Sequence, residues 1–194
     1  MNKTIEYYDQ NAAAFIAATI RADMSDHYDR FLGYVKEGGT ILDAGCGSGR
    51  DALEFKERGY KVGAFDASEE MCRQASELIG IPVTCKRFED LSGESEYDGI
   101  WACASLLHVQ EENLEEVMRR LHDLLKSGGV LYASFKEGNT ERIKEGRYFH
   151  DMTIESCRAL FEKMQFEVLE LYKTQDVREG HEGEMWVNVI GKAL

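Results

Sequence analysis

The sequence predicts an α/β protein whose seven-stranded sheet is mostly parallel, carries helices on both faces and ends in an antiparallel C-terminal hairpin strand. Three observations lead to this prediction. Short apolar runs alternate with amphipathic stretches of helical period along most of the chain, which is the pattern of β-α-β units. A glycine-rich turn joins the first such run to the helix after it. Near the end, two strand-like runs follow each other with only turn residues between them, as in a hairpin.

Each element is predicted from a local pattern. Two helices come first, because apolar residues recur at helical spacing over residues 6–35, with a break near residues 23–25. The strands of the parallel part are short apolar runs at residues 40–44, 61–65, 82–85, 97–104 and 129–135. The helices between these strands are predicted at residues 51–58, 68–80 and 111–126. The tail is predicted to contain a helix at residues 154–164 and a hairpin of strands at residues 166–172 and 185–191.

The chain is expected to form one domain. No internal repeat or low-complexity stretch divides the 194 residues, and the one proline, Pro82, makes no proline-rich linker. This length is enough to bury a core without disulfides or metals. We therefore expect a single domain over residues 1–194, with a helical cap at 1–37 and a sheet-containing core at 38–194.

Composition narrows the classes of partner. The formal net charge is −13, from 23 basic and 36 acidic residues, so a nucleic-acid backbone would be repelled on average. No apolar run reaches transmembrane length, and residues 1–10 lack the layout of a signal peptide. The five cysteines show no spacing typical of metal ligands. We therefore expect a cytoplasmic protein with reduced thiols, no metal, no membrane contact and a small molecule as its partner.

The segment ILDAGCGSGRD is the main functional motif. It places Asp43, Gly45, Gly47 and Gly49 at alternate positions, directly after one strand and before one helix. Glycines allow turn conformations that are closed to other residues, and they leave no Cβ to obstruct a ligand. Asp66 ends the next strand, 17 residues beyond Gly49, where a carboxylate can accept both hydroxyls of a ribose. At the end of its strand, Asp43 is placed to reach an ammonium group of the ligand directly or through water.

These residues resemble the class I S-adenosylmethionine-dependent methyltransferases, whose motif is an acidic residue followed by GxGxG. Residues 41–135 carry the likeness most clearly, and the segment LLKSGGVLYASF and the C-terminal hairpin extend it. The resemblance implies a Rossmann-like fold, S-adenosyl-L-methionine as cofactor and S-adenosyl-L-homocysteine as product. The segments YDGIWACASLLHV, SFKEG and WVNV are similar to small-molecule enzymes of the tellurite-resistance and thiopurine-methyltransferase kind.

The resemblance also implies a cofactor site. Gly45, Cys46 and Gly47 would line the methionine part, Asp66 the ribose, and a backbone amide at Phe88 the adenine. The full set that it assigns to the cofactor is Asp43, Gly45, Cys46, Gly47, Gly49, Arg50, Asp66, Ala67, Ser68, Met71, Phe88, Glu89, Asp90 and Ala104. Arg87 departs from the pattern. Many relatives carry at this position an acidic residue that accepts a hydrogen bond from the adenine amino group, and an arginine side chain can only donate. Glu89 or Asp90 would have to replace it.

Two other readings of the glycine segment remain. A turn that binds nothing is one of them. The other is a nicotinamide-binding domain, whose fingerprint is GxGxxG. Arg50 stands where the third glycine of that fingerprint belongs, so the spacing favours adenosylmethionine.

The acceptor side is predicted from position in the fold. Methyl transfer is an in-line displacement that depends mainly on holding the reacting groups in line. His108 follows the fourth strand and is either a proton acceptor or a helix cap. The residues expected at the acceptor are Tyr8, Met24, Lys136, Arg147 and Trp186. Together with Arg142 and Arg178, the two cations of this set would either bind an anionic acceptor or belong to a solvated charged face.

The activity itself has alternatives. The first expectation is a methyltransferase acting on a small molecule. A methyltransferase acting on RNA or protein is disfavoured by the acidic charge. A protein that binds adenosylmethionine without catalysis is the third possibility.

Overall fold

The computed structural model describes residues 2–178, 181 and 183–194. Its α-helices are α1 (Lys3–Thr19), α2 (Ser25–Leu32), α3 (Arg50–Glu57), α4 (Glu69–Ile79), α5 (Glu111–Leu124) and α6 (Ile154–Lys163). Its strands are β1 (Thr40–Ala44), β2 (Lys61–Asp66), β3 (Thr84–Cys85), β4 (Tyr97–Ala102), β5 (Leu125–Lys136), β6 (Glu141–Lys144), β7 (Arg147–His150), β8 (Phe166–Gln175) and β9 (Met185–Ala193). Two one-turn 3-10 helices span Phe88–Asp90 and Leu106–His108.

The main sheet has seven strands in the order β3-β2-β1-β4-β5-β9-β8. Strands β1 to β5 run parallel, β9 lies antiparallel to β5, and β8 lies antiparallel to β9. The predicted fold class and the C-terminal hairpin at the sheet edge are confirmed. From β1, the chain adds β2 and β3 on one side and then β4 and β5 on the other. The carboxyl ends of β1 and β4 therefore open onto a crevice, which is where ligands bind in open α/β sheets.

Alternate residues of the strands face two apolar cores. On β1 and β4, Leu42 and Ile100 belong to the core that contains buried residues of α5 and α6. Their neighbours Ile41 and Trp101 belong to the core on the other side, with residues of α2 and α3. This period of two is expected for a strand covered on both faces, so helices flank the sheet as predicted.

Several predicted boundaries shift. The third strand shrinks to β3, which pairs with β2 at only two positions, and Pro82 before it has no N–H to donate. The fifth strand is longer than predicted, because β5 begins at Leu125, directly after α5. The turn expected at residues 176–183 includes residues 179, 180 and 182, which lie outside the described residues.

The sequence analysis missed a second hairpin, formed by β6 and β7. These strands pair antiparallel from Glu141 with His150 to Lys144 with Arg147, and Gly146 takes a left-handed φ of 81° in the turn. β7 contacts both α1 and the 3-10 helix before α5. The hairpin therefore closes one side of the crevice. Within the described residues, no helix has the length and apolar content needed to cross a bilayer.

Candidate functional site

A cavity of about 280 Å³ lies at the carboxyl ends of β1, β2, β4 and β5, which is room for far more than a few waters. Its walls come from the loops after these strands, from α1, from the β6–β7 hairpin and from the β8–β9 ends. One half faces the glycine segment after β1. The other half faces the β6–β7 hairpin and the β8–β9 ends. We call them the loop half and the hairpin half.

The glycine loop is held by its own backbone. The N–H groups of Gly45 and Cys46 both donate to the carbonyl of Phe65, at 2.9 Å. Gly45 has a φ of 76°, and a Cβ there would lie 2.5 Å from the Cβ of Ser105. Gly47 has a φ of 51°, and a Cβ there would have only Phe15 nearby, at 3.8 Å. The loop therefore needs glycine at position 45 for close packing, and glycine at 47 keeps space open under α1.

Asp66 anchors the loop from β2. Its Oδ2 accepts the N–H of Gly47 and its Oδ1 that of Ser68, both at 2.9 Å. Burial raises the pKa of Asp66, while these backbone donors work in the opposite direction. The carboxylate also lines the cavity, and each oxygen keeps a lone pair that can accept a further hydroxyl.

Most residues expected at the cofactor border this cavity. Those in its wall are Gly45, Cys46, Gly47, Arg50, Asp66, Ala67, Ser68, Met71, Phe88, Glu89 and Ala104. Phe88 packs edge-to-face against Phe65, with ring centroids 5.2 Å apart. Ala104 has a φ of 51°, a strained value that turns the chain at the end of β4.

Asp43, Gly49 and Asp90 depart from the expectation, since none of them is in the cavity wall. Asp43 is only 2% exposed, and its Oδ2 accepts the N–H of Ala52 at 3.0 Å. It therefore holds the start of α3. Gly49 is pressed against α4, where a Cβ would lie 2.8 Å from the Cδ1 of Ile79. Asp90 instead accepts the N–H of Arg87 within its own 3-10 helix.

Sequence reasoning missed a buried polar cluster around Asp51. This carboxylate accepts from Arg50 Nε at 2.6 Å, Tyr28 Oη at 2.5 Å and Trp101 Nε1 at 2.8 Å. Burial works to raise the pKa of Asp51, but the Arg50 charge and these donors bring it below its usual value. Arg50 also donates to the carbonyl of Thr19 at 2.9 Å, so the cluster ties α1 to α3. No local motif reveals it, because its members lie on four different elements.

The helix α1 forms the roof of the cavity. Asp9 accepts from the hydroxyl of Ser68 at 2.6 Å, and Ser68 in turn accepts the N–H of Met71 at 3.1 Å. Ser68 therefore caps the N-terminus of α4. At the other end of α1, the hydroxyl of Thr4 accepts the N–H of Tyr148 at 3.0 Å. The roof is thus fixed both to the loop half and to the hairpin half.

His108 and Tyr8 form a hydrogen-bonded pair between the two halves. Nδ1 of His108 lies 2.6 Å from the carbonyl of Tyr148, which can only accept, so Nδ1 carries the hydrogen. The free Nε2 then accepts from the hydroxyl of Tyr8, at 2.8 Å. Burial lowers the pKa of His108 to about 4 and raises the pKa of Tyr8 to about 12. Both groups are therefore neutral at pH 7. Tyr8 and Met24, expected at the acceptor, both line the cavity.

The hairpin half contains a network of charges that the sequence analysis named only in part. Lys136 donates to Asp176 at 2.6 Å and to Glu184 at 2.5 Å, and it lies 4.1 Å from the ring centroid of Trp186. Arg178 also binds Asp176, at 2.6 Å. Burial works to raise the pKa of Asp176, but hydrogen bonds from Arg178 and Lys136 hold it well below its usual value.

Three side chains of this network have metal-ligand chemistry. Asp176, His181 and Glu184 place ligand atoms within 4.8 Å of one another. Lys136 already supplies a cation to two of them, so the cluster is explained by ion pairing.

The comparisons with known proteins agree with this geometry. Residues 41–129 match a family described as "Methyltransferase domain". An uncharacterized methyltransferase of Staphylococcus carnosus is 27% identical over 123 residues, which cover 59% of each chain. The chain spans about half the length of the curated relatives that it matches first.

Solved structures share the whole fold. The 1,6-didemethyltoxoflavin-N1-methyltransferase of Burkholderia thailandensis, solved with 1,6-didemethyltoxoflavin and S-adenosylhomocysteine, aligns over 98% of this chain and 90% of its own, with a TM-score of 0.77 and 20% identity. A TehB-like S-adenosylmethionine-dependent methyltransferase of Corynebacterium glutamicum aligns over 98% of both chains, with a TM-score of 0.73 and 18% identity. These likenesses confirm the Rossmann-like methyltransferase fold.

Proposed function

The chain carries a class I, S-adenosylmethionine-dependent methyltransferase domain, and from this premise we propose that it transfers a methyl group from S-adenosylmethionine to a small molecule. The observation that carries the proposal is Asp66, which fixes the glycine loop while facing the cavity. We propose further that the acceptor is small, that the chain forms a single domain and that the protein is cytoplasmic.

The loop half fits the cofactor. The space that Gly47 leaves open lies beside Asp66, so a ribose can lie against the loop with its hydroxyls on the carboxylate. The N–H groups of Gly45 and Cys46 are already used. An ammonium needs acceptors, which suits a loop whose donors are occupied. Met71 and Phe88 border the same half and supply apolar contact for an adenine.

When bound, S-adenosylmethionine supplies an electrophilic methyl group on a positively charged sulfur. The chain's own residues hold the two reactants in line and keep water out, which is the main requirement of such a displacement. α1 covers the cavity from above, with Phe15 over Gly47. A closed roof of this kind both orients the reactants and excludes water.

His108 acts through Tyr8 in this proposal. Its accepting nitrogen faces the hydroxyl of Tyr8, and Tyr8 lines the cavity. A histidine with a pKa of about 4 does not remove a proton from a neutral alcohol or amine before attack. Instead, His108 takes up a proton after methyl transfer, when methylation has made the acceptor atom strongly acidic. The proton reaches His108 by way of the Tyr8 oxygen. The pair therefore assists late in the reaction.

The test is cofactor binding by Asp66→Ala. The substitution removes the two proposed hydrogen bonds from the ribose hydroxyls to the Asp66 carboxylate, together with the bond that holds Gly47. The affinity for S-adenosylhomocysteine is therefore expected to fall at least about tenfold. Isothermal titration calorimetry measures this directly. Asp123→Ala is the matched control, since Asp123 is exposed on α5 and lies outside the cavity wall, and it is expected to bind like the wild type.

Unchanged affinity in Asp66→Ala would remove the ribose role and with it the basis of the proposal. Turnover tests the other part. If His108→Ala keeps both the rate and its pH dependence, His108 takes no part in proton transfer.

The alternative of an RNA or protein methyltransferase is disfavoured by the net charge of −13. Incorporation of labelled methyl groups into total RNA or protein would favour it. Tight binding of the cofactor with no turnover on a broad panel of acceptors would favour a binding protein.

A further inference from the structure

The β6–β7 hairpin sorts its residues by charge between its two faces. Residues paired across antiparallel strands share a face, and side chains alternate along each strand. One face carries Arg142, Lys144, Arg147 and Phe149, and all four line the cavity. On the other face, Ile143 is 73% exposed. Three cations therefore point towards the cavity while an apolar side chain points to water, the reverse of an ordinary surface hairpin.

Not all of these cations have a structural partner. Arg142 binds both oxygens of Asp151, a buried carboxylate, so this pair is committed to the fold. Among the described residues, the one ion pair of Arg147 is with Glu145 in the adjoining turn, whose side chain is 60% exposed. An ion pair with so exposed a partner is weak and can be exchanged for another anion.

The guanidinium of Arg147 is nevertheless held in place. It lies 4.2 Å from the ring centroid of Tyr7 and 5.3 Å from that of Phe149, and its side chain is only 11% exposed. Its Nε is buried and has no hydrogen-bond partner among the described residues. A cation that is fixed by rings and short of acceptors has the properties of an anion-binding group.

Lys144 lies directly opposite Arg147 in the hairpin register. Its Nζ is 3.4 Å from Glu184, a carboxylate that already binds Lys136 at 2.5 Å. Lys136, Lys144 and Arg178 thus share the two carboxylates Asp176 and Glu184. Among the described residues that line the hairpin half, cations therefore outnumber carboxylates, although the protein as a whole is strongly acidic.

We infer that the methyl acceptor carries an anionic group, such as a carboxylate, which binds between Lys144 and Arg147. The inference rests on the proposed function and adds the charge class of its substrate. The hairpin selects the acceptor by this group. Tyr8, whose ring lies 5.9 Å from the guanidinium of Arg147, and His108 then lie next to the bound acceptor.

A charge fractionation of acceptors tests the inference without knowledge of their identity. A deproteinised, low-molecular-mass cell extract is separated on an anion-exchange resin at pH 8, and each fraction is incubated with the protein and methyl-labelled S-adenosylmethionine. Label is expected in the retained fraction, and at least about tenfold less of it with Lys144→Gln or Arg147→Gln. Arg58→Gln, on the surface with Asp29 and Glu54, and Ile143→Ala are the controls and should label like the wild type.

Label in the unretained fraction, or equal labelling by Arg147→Gln, would overturn the inference. If no fraction accepts label while S-adenosylhomocysteine binds, the proposed activity fails, and a second measurement decides the anion site. Benzoate and benzamide, which differ in charge and little in shape, are titrated into the S-adenosylhomocysteine complex while Tm is followed. In the wild type and in Arg58→Gln, benzoate should raise the Tm more than benzamide does. In Arg147→Gln, the two ligands should raise the Tm equally. Equal shifts in the wild type would overturn it.

Discussion

The two halves of the cavity are built from different kinds of interaction. In the loop half, the backbone N–H groups of Gly45 and Cys46 donate to the carbonyl of Phe65. The N–H of Gly47 donates to the carboxylate of Asp66, at the end of the same strand. In the hairpin half, the wall includes ion-paired side chains such as Lys136 and Asp176, which are 40 residues apart in sequence. The loop half is rigid by backbone geometry, whereas the hairpin half depends on ion pairing.

This difference explains which half can be altered without the other. A backbone-built site tolerates few substitutions, because the glycines satisfy steric and φ requirements together. A site built from side chains can change its specificity by single substitutions that leave the fold intact. We therefore expect the two halves to respond separately to mutation, and three further predictions test this separation.

Lys136→Met is expected to destabilise the protein while leaving the loop half intact. Among the described residues, it leaves the buried carboxylate of Asp176 with Arg178 as its cationic partner, and removing one partner of a buried pair costs about 3 kcal/mol. Urea unfolding measures the loss. Lys163→Met is the matched control, since the Lys163–Glu115 pair is exposed and contributes less than about 1 kcal/mol. A tenfold loss of cofactor affinity in folded Lys136→Met would contradict the separation.

Gly45→Ala is expected to damage the loop half alone. Its Cβ would overlap Ser105 in addition to straining a positive φ, so we expect a loss of about 2 kcal/mol in unfolding free energy and at least about tenfold in cofactor affinity. Gly38→Ala separates the two causes. Gly38 has a similar φ of 65° but no atom within 4 Å of the added Cβ, so the variant is expected to lose about 1 kcal/mol and no affinity. Equal losses in both variants would show that the contact with Ser105 is unimportant.

The third prediction concerns His108, which joins the halves. Its pKa in the folded protein, about 4, is below the ordinary value near 6.5, so the unfolded chain binds more protons between these values. Stability from this group is therefore complete above about pH 6.5 and lost as the pH falls towards 4, by at most about 1.4 kcal/mol per pH unit. Urea unfolding of the wild type and His108→Asn at pH 6.5, 5.5 and 4.5 measures the difference. Parallel pH dependences would contradict the lowered pKa.

The sequence predicted more of the loop half than of the hairpin half. The glycine motif and Asp66 lie within 26 residues of one another, from residue 41 to residue 66, and their spacing follows from one strand-helix-strand unit. Asp43 looked like a ligand contact because a motif gives position but not direction, and its carboxylate turns to Ala52 instead.

The β6–β7 hairpin could not be predicted in the same way. Its strands are four residues long, the lower limit for an alternation pattern, and the residues that share each face become known only from the register of the pair. The carboxylates that bind Lys136 and the Thr19 carbonyl that binds Arg50 lie outside the elements of these two residues, so these contacts leave no local trace in the sequence. Aromatic and charged residues near the tail indicated an acceptor site, but not which of the cations are neutralised.

The bond between Thr4 and Tyr148 joins residues 144 positions apart, with consequences for synthesis on the ribosome. The first helix leaves the exit tunnel early, but its docking partner on β7 emerges only after five parallel strands have been made. Until then, the nascent chain can assemble those strands while the crevice stays uncovered. Contacts of such long range form slowly, so closure of the roof is expected to be a late event in maturation, and truncation before β7 would leave a sheet with an open binding face.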